Sequence, residues 1–126
     1  MRTNPIIYAS ITLTVLFTVA GQLLVKYGMT QVGSSSMQAS RLTKHLWVTL
    51  TNPCVFLGFA CAFIAAMTWT VAIARAQLSF AYPFVGLGIV LTLVFSSLLF
   101  GDKVSFQRWM GVALVCLGLI VVARSK

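Results

Sequence analysis

Gln22 and Lys26 stand one helical turn apart near the end of an apolar run, and together they could hold a phosphate. The lysine ammonium offers charge and three donors, and the glutamine amide offers two donors and an acceptor. Lipid satisfies none of the amide's groups, so Gln22 needs a partner or a ligand. Lys26 has a second option, because a lysine near the end of a membrane span can snorkel to the interface. The pair ends a longer stripe of Ser10, Thr14, Thr18, Gln22 and Lys26, each four residues after the last. Steps of four drift by about 40° on a helix, so the stripe covers nearly half of its surface. Serine and threonine hydroxyls can bond back to the preceding turn, and taken alone Ser10, Thr14 and Thr18 read as packing residues. Thr18 adjoins the pair and is carried with it as a candidate substrate-binding residue.

Two further stretches could serve a transported molecule. Ala81-Tyr82-Pro83 precedes Gly86-Leu87-Gly88 in the third apolar run. Proline removes a backbone donor, and glycine lets a helix flex or a neighbour approach closely. Pro83, Gly86 and Gly88 are therefore candidate hinge residues, against a static kink that only aids packing. Tyr82 and Trp69 are candidates for a cavity wall, although Trp69 also reads as a packing residue. Arg75 lies in a short turn, where it could meet phosphate or set topology. In the last run Gly111 and Gly118 fall on one face with Val115 between them. Small residues let helices approach in lipid, so this face reads as a dimer interface, or else as a contact within one chain.

Enzymatic chemistry is short of parts. The chain has one histidine, His45, and one carboxylate, Asp102. Acid–base pairs, triads and metal sites all need more, so the expectation is a non-enzyme with no metal and no cofactor. Cys54, Cys61 and Cys116 lie inside apolar runs and read as packing residues. Asp102, between Gly101 and Lys103, reads as a turn residue with no part in the site.

The elements that must position these residues follow from composition. Sixty per cent of the 126 residues are hydrophobic, 8% are charged, and the mean hydropathy is +0.99. A soluble domain of this size could not bury so much apolar surface, whereas a bilayer can cover it. The expectation is an all-α membrane protein, with a single domain over residues 1–126 and four transmembrane helices in a compact, dimeric bundle. The spans are expected at about 5–26, 53–74, 78–100 and 106–123, each near the roughly 20 residues needed to cross. Residues 29–52 form either a polar loop or an interfacial helix, with Arg41, Lys44 and His45 toward headgroups. Asn4 can cap the first span, Gly33-Ser34-Ser35-Ser36 reads as a loop, and no cleavage site follows the first run. Short connections should make the second, third and fourth spans antiparallel neighbours.

The formal charge of +8 suits membrane lipids better than nucleic acid, because no basic patch is interleaved with aromatics. It does not fix orientation. Arg2, Arg75, Arg124 and Lys126 share one side, against Lys26, Arg41, Lys44, Lys103 and Arg108 on the other. The chain could insert both ways and pair antiparallel, or settle in one orientation.

Val19-Ala20-Gly21-Gln22-Leu23 with Lys26, Ala81-Tyr82-Pro83, and Arg108-Trp109-x-Gly111-Val112 resemble the small four-helix members of the drug/metabolite transporter superfamily. Within it the chain is most similar to the subunits of the aminoarabinose-phosphoundecaprenol flippase. That resemblance implies a polyprenyl-phosphate-linked sugar as substrate, moved across the bacterial inner membrane for glycolipid or envelope modification. It also implies a homodimer, or a heterodimer with a similar four-helix subunit. The small multidrug resistance proteins share the four-helix plan but place a glutamate in the first helix. Here Thr18 or Leu16 stands in its place, and Phe84 or Val85 replaces their third-helix tryptophan. Export of cationic or small polar solutes is thus the alternative reading. A third is a non-transporting partner of a membrane glycosyltransferase.

Overall fold

The computed structural model describes residues 5–33 and 42–124. The expected cap at Asn4, the Ser34–Ser36 loop and the headgroup contact of Arg41 lie outside those residues, as does the side chain of His45. Five helices follow one another: α1 (Pro5–Val32), α2 (Leu42–Thr51), α3 (Pro53–Ile73), α4 (Leu78–Phe100) and α5 (Phe106–Arg124). The described residues contain no strand. Helices α1, α3 and α4 are long and apolar enough to cross a membrane, while the apolar part of α5, Phe106–Val122, is shorter.

Local chemistry sets the boundaries. α1 continues past Lys26 and through Gly28, which packs on Val55, to Val32, and stops at Gly33, which takes a φ of 75°. Lys26 therefore stands inside the helix and not at its end. The segment from Leu42 to Thr51 is helical as α2, and it exposes Leu46, Trp47 and Leu50. Asn52 separates α2 from α3. Its side-chain oxygen accepts from the Cys54 amide at 2.9 Å, and Pro53 occupies the first turn, where its missing N–H costs nothing. α4 runs unbroken through Pro83 and ends at Gly101, whose φ of 64° reverses the chain.

α1 is the centre of the molecule. Its C-terminal half meets α3 backbone to backbone, where a Cβ on Gly21 would lie 2.9 Å from the Gly58 carbonyl and one on Gly58 would lie 2.9 Å from that of Gly21. Gly28 receives Val55 further along, so the two helices run antiparallel. On its other side α1 runs parallel to α4: Tyr8 meets Phe80 edge to face, Val15 faces Gly88, and Gln22 bonds Thr92. Ile11, Ala72 and Ala81 form the small core where α1, α3 and α4 converge.

The result is a row, α3–α1–α4–α5, and not the compact bundle expected from the sequence. α5 packs on α4 alone, and α3 touches α4 less than any other paired helix. Short connections keep α4 and α5 as antiparallel neighbours, but α3 and α4 touch only slightly and each packs mainly on α1. Small residues explain this: Gly21, Gly28 and Gly58 let α1 and α3 close tightly, which leaves α4 to pack on the remaining face of α1. The outer faces stay apolar, with Phe56, Phe63, Leu98 and Leu114 each about 70% exposed or more. In the membrane such faces meet lipid or another chain.

Candidate functional site

Parting α3 from α4 opens a cleft of about 650 Å³ with α1 as its floor. The α1 stripe supplies Thr14, Thr18, Gln22 and Lys26, and Trp69 of α3 and Tyr82 of α4 stand on the flanking walls. Five of the six candidate substrate-binding residues are therefore brought together. The sixth, Arg75, is exposed in the α3–α4 turn and lies outside the cleft lining. Apolar groups such as Val25, Phe59 and Ala62 fill the rest of the walls.

The stripe divides by function along its length. Ser10 and Thr14 are buried, and the Thr14 hydroxyl donates to the Ser10 carbonyl at 2.8 Å. It also meets the Thr68 hydroxyl of α3 at 2.8 Å. Thr14 thus joins α1 to α3 while its hydroxyl bonds back to the preceding turn. Beyond it the cleft widens. Trp69 and Tyr82 meet edge to face, with ring centroids 6.0 Å apart, and bridge α3 to α4 at the end away from Lys26. From Thr14 to Lys26 the floor extends about 18 Å at the rise of an α-helix.

Gln22 and Lys26 find partners on α4 at the same spacing. Thr92 Oγ1 lies 3.0 Å from Gln22 Oε1 and 2.8 Å from the Gly88 carbonyl, so its proton is shared between them. The Lys26 ammonium donates to Ser96 Oγ at 2.8 Å and to the Asp102 carboxylate. It also stands 4.8 Å from the centroid of the Phe100 ring, a cation–π contact. Asp102 reaches this point because Gly101 turns the chain back over the last turn of α4. There Ser96 donates to its carboxylate, and the Ser97 hydroxyl donates to its carbonyl at 3.2 Å. The Lys26 and Ser96 hydrogen bonds hold the Asp102 carboxyl below the usual carboxylate range, with a smaller contribution from Arg108.

This corrects the reading of Asp102 as a turn residue apart from the site. It is a turn residue, but it also neutralises the ammonium at the rim of the cleft. The sequence did carry a signal for the α4 half of the site. Gly88, Thr92 and Ser96 repeat at the spacing of Gln22 and Lys26, and a second polar stripe at the same period is what a parallel partner helix would present.

The other candidate residues lie elsewhere. Gly86 admits the Leu119 side chain of α5, and Gly88 faces Val15 of α1, so both serve close helix approach. Gly111 and Gly118 have no atom within 4 Å of an added Cβ, and Val115 is 46% exposed. That face of α5 is open in the single chain. Cys54, Cys61 and Cys116 are free and partly buried.

The model of the EamA-like transporter family matches residues 44–124, which take in the α3 and α4 walls of the cleft and the adjoining α5. The chain belongs to that family. Curated relatives extend the similarity across α1. A probable 4-amino-4-deoxy-L-arabinose-phosphoundecaprenol flippase subunit ArnE of Aeromonas hydrophila is 28% identical over 87% of this chain and 90% of its own length. The protein of the same name from Escherichia fergusonii is 27% identical, covering 92% and 96%. A probable flippase subunit ArnF of Sodalis glossinidius is 33% identical, covering 82% and 79%. No solved structure matches. Family membership and the apolar helices make this EamA-like protein a multi-pass membrane protein of a transporter family.

Proposed function

We propose that this EamA-like chain is a flippase subunit that moves an undecaprenyl-phosphate-linked sugar across the bacterial inner membrane for glycolipid or envelope modification. One observation carries the reading: a cleft with mostly apolar walls has its cation, Lys26, at one rim, with Gln22 one turn deeper. A phosphate-bearing lipid needs that combination. Its headgroup meets the ammonium and the amide, while its chain stays against apolar surface or lipid. Thr18, Tyr82 and Trp69 then contact the sugar or the first isoprene units. Arg75, outside the cleft, acts in topology. The names of relatives support the choice of substrate: the ArnE and ArnF proteins named above are themselves described as probable subunits of such a flippase.

The working unit in this reading is a single four-helix transmembrane domain that includes α5 as a span. Two such domains pair through the open Gly111, Val115 and Gly118 face, because a row of helices leaves the cleft uncovered on its own. The partner is a second copy or a similar four-helix subunit. Pro83 is the one candidate hinge of α4 left in this reading, since Gly86 and Gly88 serve close packing on α5 and α1.

The test is reconstitution in liposomes, alone and with a similar subunit, using a labelled undecaprenyl-phosphate sugar. Protein-dependent movement between leaflets is expected, and Lys26→Met should reduce it at least tenfold. Absence of both binding and movement would sink the proposal. Raised resistance to quaternary ammonium compounds on overexpression would favour the exporter. Co-purification with a glycosyltransferase, without transport, would favour a stabilising partner.

A further inference from the structure

Lys26 is not free to receive a phosphate as it stands. It is already bonded to an anion, Asp102, which arrives from a turn and not from a membrane span. The pair is the one salt bridge among the described residues, and both side chains are partly exposed, at 37% and 40%. An ion pair in that setting is weak enough to be exchanged. The carboxylate also has somewhere to go: Arg108, in the first turn of α5, already exerts a favourable charge interaction on it.

We propose that Asp102 is the resident competitor for Lys26, a residue that an incoming phosphate group must displace before it can bind in the cleft. The proposal rests on the flippase reading and deepens it, by saying what occupies the phosphate position when no substrate does. Phosphate oxygens would take over the donors of Lys26 that the Asp102 carboxylate holds. Asp102 would then turn toward Arg108 and solvent, so every charge keeps a counterpart. A neutral lipid cannot make this exchange. Binding of polyprenyl alcohols and other uncharged lipids is therefore independent of the competitor, whereas binding of a phosphate-bearing lipid is set against it. Displacement also has a mechanical effect. Asp102 ties the α4–α5 turn to α1 through Lys26, so its release removes that tie and leaves α1 and α4 joined there by the Lys26–Ser96 bond.

A ligand's apparent affinity falls by the fraction of time that its site is competent. Asp102→Asn keeps the size of the side chain and removes its charge. It should tighten binding of a short-chain prenyl phosphate, measured on full-length protein in lipid nanodiscs, about three- to tenfold. Binding of the corresponding prenyl alcohol should not change, and Lys26→Met should remove the phosphate-dependent part in both backgrounds. Ser96→Ala loosens the carboxylate without touching either charge, and should shift affinity in the same direction by less. It keeps the question open to experiment if Asp102→Asn does not fold. Prenyl phosphate binding that is unchanged or weaker in these variants, while wild type still binds and Lys26→Met does not, overturns the competitor and leaves the flippase reading intact. No phosphate-dependent binding by wild type or by either variant overturns the flippase reading, and the competitor with it.

Discussion

The two sides of α1 are built differently. Toward α3 the contact is backbone on backbone, with Gly21 and Gly58 crossing and the Thr14 and Thr68 hydroxyls joined. Toward α4, in the same half of the helix, the contact is carried by side-chain tips: Gln22 to Thr92, and Lys26 to Ser96. Close-packed backbones have no slack and no polar group to offer, so the first side can only hold. Side-chain tips can release one partner and take another at small cost, so the second side can bind. One helix thus gives the molecule a fixed seam and an exchangeable one, and the cleft opens where the two meet.

Four substitutions and a titration probe that division. Gly58→Leu should do the most damage, since its side chain must enter the α1 backbone. A loss of about 3 kcal/mol is expected, at the upper end for overpacking, and thermal unfolding in detergent would report it. If Gly58→Leu were as stable as wild type, the seam would not be fixed at all. Lys26→Met should leave the fold largely intact and lower affinity for a prenyl phosphate about tenfold, as measured by titration in nanodiscs. Thr14→Val removes the hydroxyl contact to Thr68 and should cost about 1 kcal/mol of stability, with little effect on ligand affinity. A large affinity loss there would move the binding region deeper along the stripe. Gly118→Leu meets open space and should change the stability of the single chain by less than about 0.5 kcal/mol. Loss of pairing in that variant, read by cross-linking in membranes, would place the second subunit on α5. The smallest effect expected is that of pH between 5 and 8. The Asp102 carboxyl is held below its ordinary range, so its contribution is present above the unfolded value and fades only as pH falls through the lower folded one. A break in the α1–α4 seam should therefore appear only below about pH 4, as faster backbone amide hydrogen exchange around Gly101 and the last turn of α4.

Much of this was legible in the residues. The starts of α3, α4 and α5 fall where Pro53, Leu78 and Phe106 mark them, and the expected ends lie within one residue of the observed ones. Thr14, Thr18, Gln22 and Lys26 line one cleft with Trp69 and Tyr82, and the period that sets those four on one face is a local property of the chain. The order of helices in space was less legible. A turn as short as Arg75-Ala76-Gln77 implies adjacency, but it does not reveal that Gly21, Gly28 and Gly58 bring α1 between the helices it joins. Asp102 was hidden for a related reason. Its isolation in composition made it look peripheral, whereas its partner lies 76 residues earlier in the chain. Contacts at that separation depend on topology, which no local pattern encodes.

That separation has a consequence for how the protein is made. The α1–α3 seam is complete once α3 has been synthesised, and it needs nothing from α5. Lys26 then sits at the rim of a half-built cleft with its ammonium uncommitted. Its counter-ion reaches it only after α4 has been inserted and the ribosome has passed Gly101. The charged rim is thus among the last features to close during biogenesis, and a chain truncated after α4 would expose the cation without its restraint.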